Sequence, residues 1–285
     1  MQKIHIGLTG WGDHPTLYEH NPSTSKLADY ASHFPVVEVD TAFYAIQAKK
    51  NYEKWVRETP ENFSFVIKAF NALTQHDRIE RNVGDLKELL AAYAQSISPV
   101  LEANKLNSIL FQFPPWFAVS KENIRYLRFI REYLSSYPLA LEFRNQSWFK
   151  SEYKDNTIAF MKEGKWIHSI CDEPQAGEGS VPTVLEPTAD QTLIRFHGRN
   201  VHGWNKNGNE NWRAVRFLYR YNETELREWV QRLHALRKHT KDITILFNNN
   251  SGGDAADNAK QFIELLGIEY HGLNPRQMDL FDGGL

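Results

Sequence analysis

Three side chains that can bind anions or transfer protons recur at alternate positions in the segment TLIRFHGRN, residues 192–200. They are Arg195, His197 and Arg199. Alternate side chains of a β-strand point to the same face, so the pattern predicts two guanidiniums and an imidazole pointing inward together. Guanidinium groups bind phosphate and carboxylate through paired hydrogen bonds, and imidazole transfers protons near neutral pH. The segment therefore indicates an anion-binding or acid–base site.

Other apolar segments end in polar residues of the same kinds. These residues are Glu38, Asp40, Lys68, Gln112, Glu142, Arg144, Asp172, Asn248 and Asn249. Several charges can lie together in a protein interior only when they are paired, and the acids and bases here are balanced in number. One interpretation is a structural ion-pair network, and the other is a functional site assembled from many strands. We favour the functional site.

The candidate roles follow from residue chemistry. Glu38 and Glu142 are the candidate catalytic acid and base, with Lys68 and His197 close enough to shift their pKa values. Arg144, Arg195 and Arg199 are the candidate anion ligands, and Gln112, Asp172, Asn248 and Asn249 would add hydrogen bonds. Trp148 would stack on a sugar or a base, although a loop tryptophan often packs onto its own fold instead.

The elements that position these residues are short β-rich segments. We predict eight strands, at residues 4–9, 36–40, 63–69, 108–113, 139–144, 166–172, 192–198 and 243–248. Amphipathic helical segments separate most of them, which predicts a closed (β/α)8 barrel with the polar strand ends at one mouth. Residues 172–191 have no helical period, so an irregular crossover is expected between strands six and seven. An open doubly wound sheet is the alternative.

Two further features bear on ligands. The segment NNNSGGDAADNAKQF after the eighth strand resembles a helix start that could bind phosphate, or Asp254 could simply cap that helix. The acids and His197 could instead hold a divalent metal, but the chain has no HxxxH or HExxH spacing, so no metal or other cofactor is predicted. The single cysteine, Cys171, excludes an intramolecular disulfide and any site built from several cysteines.

Composition excludes several classes of protein. The 285 residues carry a formal charge of −2, which gives no overall attraction to nucleic acid or membranes. A local basic patch could still bind nucleic acid, so direct binding stays an open question. The chain begins with a strand-like segment and has no long apolar run, so we expect a cytoplasmic protein with no membrane contact. Residues 1–270 are expected to form the barrel, and residues 271–285 a C-terminal tail.

The tail contains the pentad QMDLF, at residues 277–281. It resembles the short peptides that bind the bacterial sliding clamp, and the resemblance implies that Gln277, Leu280 and Phe281 are the anchors. A short flexible peptide with a Leu-Phe pair can fill an apolar pocket on a partner. The alternative is that Leu280 and Phe281 pack onto the helices of the barrel itself.

The order of motifs along the chain resembles the YecE-like family, also called domain of unknown function seventy-two. The motifs are TGWGDH, VEVDTAFYAI, FVIKA, ILFQFPPWF, LEFRNQSWF, CDEP, IRFHG and LFNNNSGGDAADNAKQF. The resemblance covers residues 4–267 and implies a TIM-barrel-like fold, with Tyr44 among the shared site residues. The family has no established reaction, and the segment RNVHGWNKNGNENW after His197 departs from the family pattern.

Together these patterns predict a barrel enzyme. Its ligand would be a small anionic molecule, phosphorylated or sugar-like, and its chemistry that of an isomerase or lyase. A metal-assisted phosphodiesterase or DNA-repair accessory recruited to the sliding clamp is the first alternative. A non-catalytic binding barrel is the second.

Overall fold

The computed structural model describes residues 3–18, 25–205 and 212–275. Within these residues, eight strands run parallel and close into a barrel in sequence order, with β1 paired to β8. The strands are β1 (Lys3–Thr9), β2 (Val36–Val39), β3 (Ser64–Lys68), β4 (Leu106–Gln112), β5 (Leu139–Glu142), β6 (Ile167–Asp172), β7 (Gln191–Phe196) and β8 (Asp242–Phe247). The predicted (β/α)8 barrel is confirmed, and the open sheet is wrong because β1 and β8 close the ring.

Helices surround the barrel. They are α1 (Lys26–Tyr30), α2 (Lys49–Glu58), α3 (Val83–Glu102), α4 (Lys121–Tyr133), α5 (Lys154–Glu163), α6 (Val201–Trp204), α7 (Trp212–Val215), α8 (Glu223–Leu236) and α9 (Ala255–Leu266). Several begin at the capping residues that the sequence offers. Asn222, for example, accepts a hydrogen bond from the Glu225 N–H at 3.0 Å, which completes a capping box at α8.

The barrel interior is built in layers. One buried apolar layer consists of Val36, Val66, Leu110, Ala140, Ile167, Leu193 and Leu246. Two residues further along the same seven strands, a polar layer follows: Glu38, Lys68, Gln112, Glu142, Ser169, Arg195 and Asn248. Strand alternation dictates this step of two, because every second side chain returns to the interior. The polar layer therefore lies directly on the apolar layer, toward the C-terminal ends of the strands.

The segment between β6 and β7 crosses without a helix or a strand, as predicted. Its hydrogen bonds hold it against the barrel instead. The hydroxyl of Thr183 donates to the carbonyl of Cys171 at 2.9 Å, and that of Thr188 donates to the carbonyl of Trp166 at 2.5 Å. The crossover is therefore irregular in shape but fixed in position.

The chain after α9 returns across the N-terminal end of the barrel. The Tyr270 hydroxyl accepts from the Ile6 N–H at 2.9 Å and donates to the Ile4 carbonyl at 3.1 Å. The Asn274 amide donates to the carbonyls of Ala28 and Glu58 at 3.0 Å each. Residues 271–275 thus pack on the barrel, while Gln277, Leu280 and Phe281 lie outside the described residues. No helix among the described residues is long and apolar enough to cross a membrane.

Candidate functional site

The centre of the polar layer is the Arg195 guanidinium from β7. It donates to both carboxylate oxygens of Glu38, on β2, at 2.9 and 2.7 Å, and to both oxygens of Glu142, on β5, at 3.0 and 2.9 Å. All three side chains are completely or almost completely buried. The contacts are the paired, bidentate kind that make a buried charge tolerable, so Arg195 ties three strands together across the barrel.

A second guanidinium extends this network. Arg144 contacts Glu142 at 2.8 Å and Glu173 at 2.6 Å. Burial opposes ionisation of Glu142, but the neighbouring guanidiniums of Arg195 and Arg144 outweigh it and hold the Glu142 pKa well below its ordinary value. For Glu173 burial dominates over the attraction of Arg144, and its pKa rises to about 7. The sequence prediction missed Glu173, although it lies two residues after the inward-facing Cys171.

The hydrogen-bond partners of His197 determine its protonation state and tautomer. Its Nε2 lies 2.8 Å from a nitrogen of Arg144, which can only donate, so Nε2 accepts and the proton of the neutral ring is on Nδ1. Burial and the two guanidiniums lower the His197 pKa well below its ordinary value, in agreement with a neutral ring. The Asn248 side-chain amide lies 2.9 Å from Nδ1. The structure has the amide nitrogen at this position, but two N–H groups cannot bond to each other, so we assign the amide oxygen to the ring and the NH₂ group to the cavity.

A cavity of about 380 Å³ lies above the polar layer, and we call it the mouth cavity. Its polar lining consists of Asp40, Lys68, Gln112, Arg144, Arg195, Arg216 and Asn248. Its aromatic lining consists of Phe43, Tyr44, Trp212 and Phe217. Most of the candidate ligand residues thus meet here, including Tyr44. Glu38 and Glu142 lie beneath the cavity, where the oxygens of both carboxylates accept hydrogen bonds from Arg195.

One acid–base pair does reach the mouth cavity. The Lys68 ammonium lies 2.8 Å from the Asp40 carboxylate and 4.5 Å from the centre of the Phe43 ring. Burial of Asp40 opposes its ionisation, but the charge of Lys68 outweighs it and lowers the Asp40 pKa. The side chain of Asp40 is 35% exposed, so a ligand in the cavity can reach the pair.

The cavity is also lined by a cation, Arg216, that has no direct acidic contact among the described residues. Arg216 lies between aromatic rings, with its guanidinium 4.2 Å from the Trp204 ring and 4.8 Å from the Trp212 ring. No carboxylate of the described residues lies within salt-bridge distance of it, and its buried Nε has no hydrogen-bond partner among them. Burial and the nearby Arg144 lower the pKa of Arg216 to about 9. Sequence analysis missed this residue because it lies in the segment after β7, far from any strand end.

Arg199 does not point inward with Arg195 and His197. Gly198 has a φ of +83°, a left-handed conformation that interrupts the alternation of β7. Arg199 turns outward and binds Asp172 at 2.9 and 2.7 Å and Glu225 of α8 at 3.1 Å. Asp172 lies outside the barrel too, because Ile167, Ser169 and Cys171 are the inward-facing residues of β6. Arg199 and Asp172, both predicted to bind the ligand, instead join the barrel to α8.

Two other candidates make structural contacts only. Trp148 is buried against Phe143, with ring centres 4.1 Å apart, and its indole N–H donates to the Phe117 carbonyl at 2.7 Å. The Asn249 amide donates to the Tyr219 carbonyl at 2.8 Å and to Asn258 at 2.9 Å. Neither residue lines the mouth cavity.

The start of α9 is also occupied. Asp254 lies there and binds Arg220 at 2.8 Å. A phosphate at this helix start would meet the Asp254 carboxylate, so the mouth cavity is the better anion site.

Three potential metal ligands come together beneath the cavity. Atoms of Glu142, Cys171 and His197 lie within 4.8 Å of one another. The surroundings do not fit a cation, because Arg195 and Arg144 already occupy the Glu142 oxygens and Arg144 donates to His197. Burial also raises the pKa of the Cys171 thiol, which opposes the thiolate form that binds metals.

Comparison with known proteins gives a consistent family. A family model described as protein of unknown function DUF72 matches residues 5–280. The protein YunF of Bacillus subtilis is 56% identical over 98% of this chain and 100% of its own length. The protein YecE of Escherichia coli is 24% identical over 68% of this chain and 74% of its own length. The crystal structure of a DUF72 family protein from Enterococcus faecalis is 38% identical, with a TM-score of 0.88, covering 97% of this chain and all of that one. The resemblance inferred from the motifs is therefore confirmed, and the chain belongs to the DUF72 family of TIM-barrel-like proteins.

Proposed function

We propose that this protein is an enzyme that binds a small phosphorylated sugar in the mouth cavity and transfers protons through Lys68 and Asp40. The reaction class is that of an isomerase or lyase. The observation that carries the proposal is Arg216, a largely buried guanidinium that lines the mouth cavity, has no carboxylate of the described residues within salt-bridge distance, and has an Nε without a hydrogen-bond partner among them.

Charge balance supports an anionic ligand. The cavity is lined by Lys68, Arg144, Arg195 and Arg216, against the single carboxylate of Asp40. The buried acids neutralise Arg195 and Arg144, and Asp40 neutralises Lys68. Arg216 has no carboxylate of the described residues within salt-bridge distance, and Glu173 and Glu142 attract it only from further away. A cation in a site of low dielectric constant is stabilised when an anion binds to it directly. A phosphate with several acceptor oxygens satisfies Arg216 and the NH₂ group of Asn248 together.

Accessibility supports the choice of Lys68 and Asp40 as the proton-transferring pair. Both line the mouth cavity, whereas Glu38 and Glu142 are held by Arg195 and do not reach it. In the proposed reaction, Asp40 removes a proton from the carbon next to a carbonyl group, and Lys68 stabilises the negative charge that develops on the oxygen. Glu38 and Glu142 then serve to position the two guanidiniums.

Binding of glucose 6-phosphate and of inorganic phosphate, measured by isothermal titration calorimetry, tests the anion site. We expect Arg216→Ala to weaken both by about 30-fold or more, since loss of a buried charge contact costs roughly 2 kcal/mol or more. Arg220→Ala is the matched control, because Arg220 lies on the same segment but is 64% exposed. Equal affinities of the wild type and Arg216→Ala would contradict the proposal.

Proton exchange tests the reaction class. Glucose 6-phosphate and fructose 6-phosphate are incubated with the protein in D₂O, and NMR follows deuterium entering the carbon next to the carbonyl group. We expect exchange with the wild type and none with Lys68→Met. Failure of the wild type to exchange either sugar phosphate would contradict the isomerase assignment and leave the anion site standing.

A further inference from the structure

A second cavity of about 390 Å³ opens beside the mouth cavity, and we call it the side cavity. The segment after β3 and the loop after β4 form it. Its lining includes the indole of Trp116 together with Gln75, Arg78 and Glu80. The proposed phosphate site does not use these residues.

A row of aromatic rings joins the two cavities. Phe43 and Tyr44 line the mouth cavity, with ring centres 5.2 Å apart. The ring of His76 lies 4.8 Å from Phe43 and 5.9 Å from Trp116, which lines the side cavity. Tyr44 is 66% exposed and Trp116 is 47% exposed. The neighbouring rings pack edge to face, with interplanar angles of 90°, 87° and 72°. A single exposed ring is ordinary, but a row that leads out of a cationic cavity provides a continuous aromatic wall, with the exposed indole of Trp116 at its outer end.

The segment after β3, which contacts Trp116, has an uncommon backbone conformation. Gln75 and Arg78 have φ angles of +58° and +56°, in the left-handed region that costs free energy for residues other than glycine. In this conformation the Gln75 carbonyl accepts from the indole N–H at 3.2 Å, and the Arg78 guanidinium lies 4.1 Å from the centre of the Trp116 ring. The strained backbone therefore fixes the orientation of an exposed indole.

We propose that the side cavity binds a second sugar ring of a phosphorylated saccharide whose phosphorylated ring occupies the mouth cavity. This inference rests on the proposed function and specifies its substrate class. The indole of Trp116 offers an apolar face to the C–H groups of a sugar, while Arg78 donates hydrogen bonds, Glu80 accepts them and Gln75 does both, as sugar hydroxyls require. The carboxylate of Glu80 makes the side cavity unfavourable for a second phosphate.

Three ligands test the proposal by calorimetry: glucose 6-phosphate, trehalose 6-phosphate, which adds one glucose ring, and adenosine monophosphate. We expect trehalose 6-phosphate to bind about tenfold more tightly than glucose 6-phosphate, in keeping with one good aromatic contact. Trp116→Ala should remove this gain and leave the affinity for glucose 6-phosphate unchanged. Tyr153→Ala is the control, because Tyr153 is another exposed aromatic residue, 42% exposed, and lies at the start of α5.

Equal affinities of the wild type for the two sugar phosphates would overturn the inference, as would a gain that survives Trp116→Ala. Tighter binding of adenosine monophosphate than of trehalose 6-phosphate would also overturn it and assign the rings to a nucleobase. In each of these outcomes glucose 6-phosphate still binds through Arg216, so the proposed function stands. Absence of glucose 6-phosphate binding would instead refute the proposed function itself.

Discussion

Arg195 donates two hydrogen bonds to Glu38, at 2.9 and 2.7 Å, from the opposite side of the barrel. With its contacts to Glu142, this one guanidinium joins β7 to β2 and β5 within the polar layer that lies on the apolar layer. The arrangement explains how these three charges can be buried beneath a cavity. It also separates two roles: the buried acids hold the guanidiniums, and the groups above them face the ligand.

Glu142→Gln is expected to lower the free energy of unfolding by roughly 3 to 5 kcal/mol, because removing one charge leaves Arg195 and Arg144 incompletely paired in the interior. Urea denaturation measures the change. Glu223→Gln is the control, since the Glu223–Arg227 pair lies on the surface and should contribute no more than about 1 kcal/mol. A change as small as that of the control would show that the buried network contributes little to stability.

Acid should destabilise the protein in part through His168. Burial lowers its pKa to about 4, so between pH 6.5 and 4 the unfolded chain binds a proton that the folded ring does not. The stabilisation is therefore complete above pH 6.5 and is lost as the pH falls toward 4.

The measurement is the free energy of unfolding at several pH values in this range. We expect the slope for the wild type to exceed that for His168→Asn by up to about 1.4 kcal/mol per pH unit, which corresponds to one proton. Asparagine retains a donor for the Glu186 carbonyl that His168 contacts at 2.9 Å. Identical slopes would show that another group takes up the proton.

Metal removal should have no effect on the candidate site. Two guanidiniums contact Glu142 and one contacts His197, so a divalent cation near Cys171 would be repelled. Dialysis against a chelator is expected to leave both the melting temperature and the affinity for inorganic phosphate unchanged, and metal analysis should show no stoichiometric ion. A bound metal whose loss reduces phosphate affinity would favour the metal-assisted phosphodiesterase instead.

The pentad at residues 277–281 predicts binding to the bacterial sliding clamp. In a pull-down with purified clamp, the wild type should be retained, and Gln277→Ala and Phe281→Ala should reduce recovery several-fold, because each removes an anchor side chain. Arg216→Ala is the control, since it alters only the mouth cavity. Equal recovery of all four proteins would remove this partner.

The sequence by itself determined the barrel and most of its polar layer, with Ser169 the one member it did not indicate. Strand alternation forces the residue two positions after each inward-facing apolar residue back into the interior, which is why Lys68, Gln112, Glu142 and Arg195 could be placed from the strands that contain them. The two-residue alternation of a β-strand decides such positions, and this alternation can be recognised in the sequence alone. The family was also recognisable from its ordered motifs.

Tertiary structure decided everything that depends on non-local contacts. The left-handed Gly198 turns Arg199 away from the mouth, and the register of β6 places Asp172 against α8. Arg216 reaches the cavity from a segment without a helical or strand period, and only the tertiary structure shows that its guanidinium lies between the rings of Trp204 and Trp212. Distances across the barrel decide which polar groups face a ligand and which form ion pairs with each other. The spacing of residues along the sequence does not give these distances.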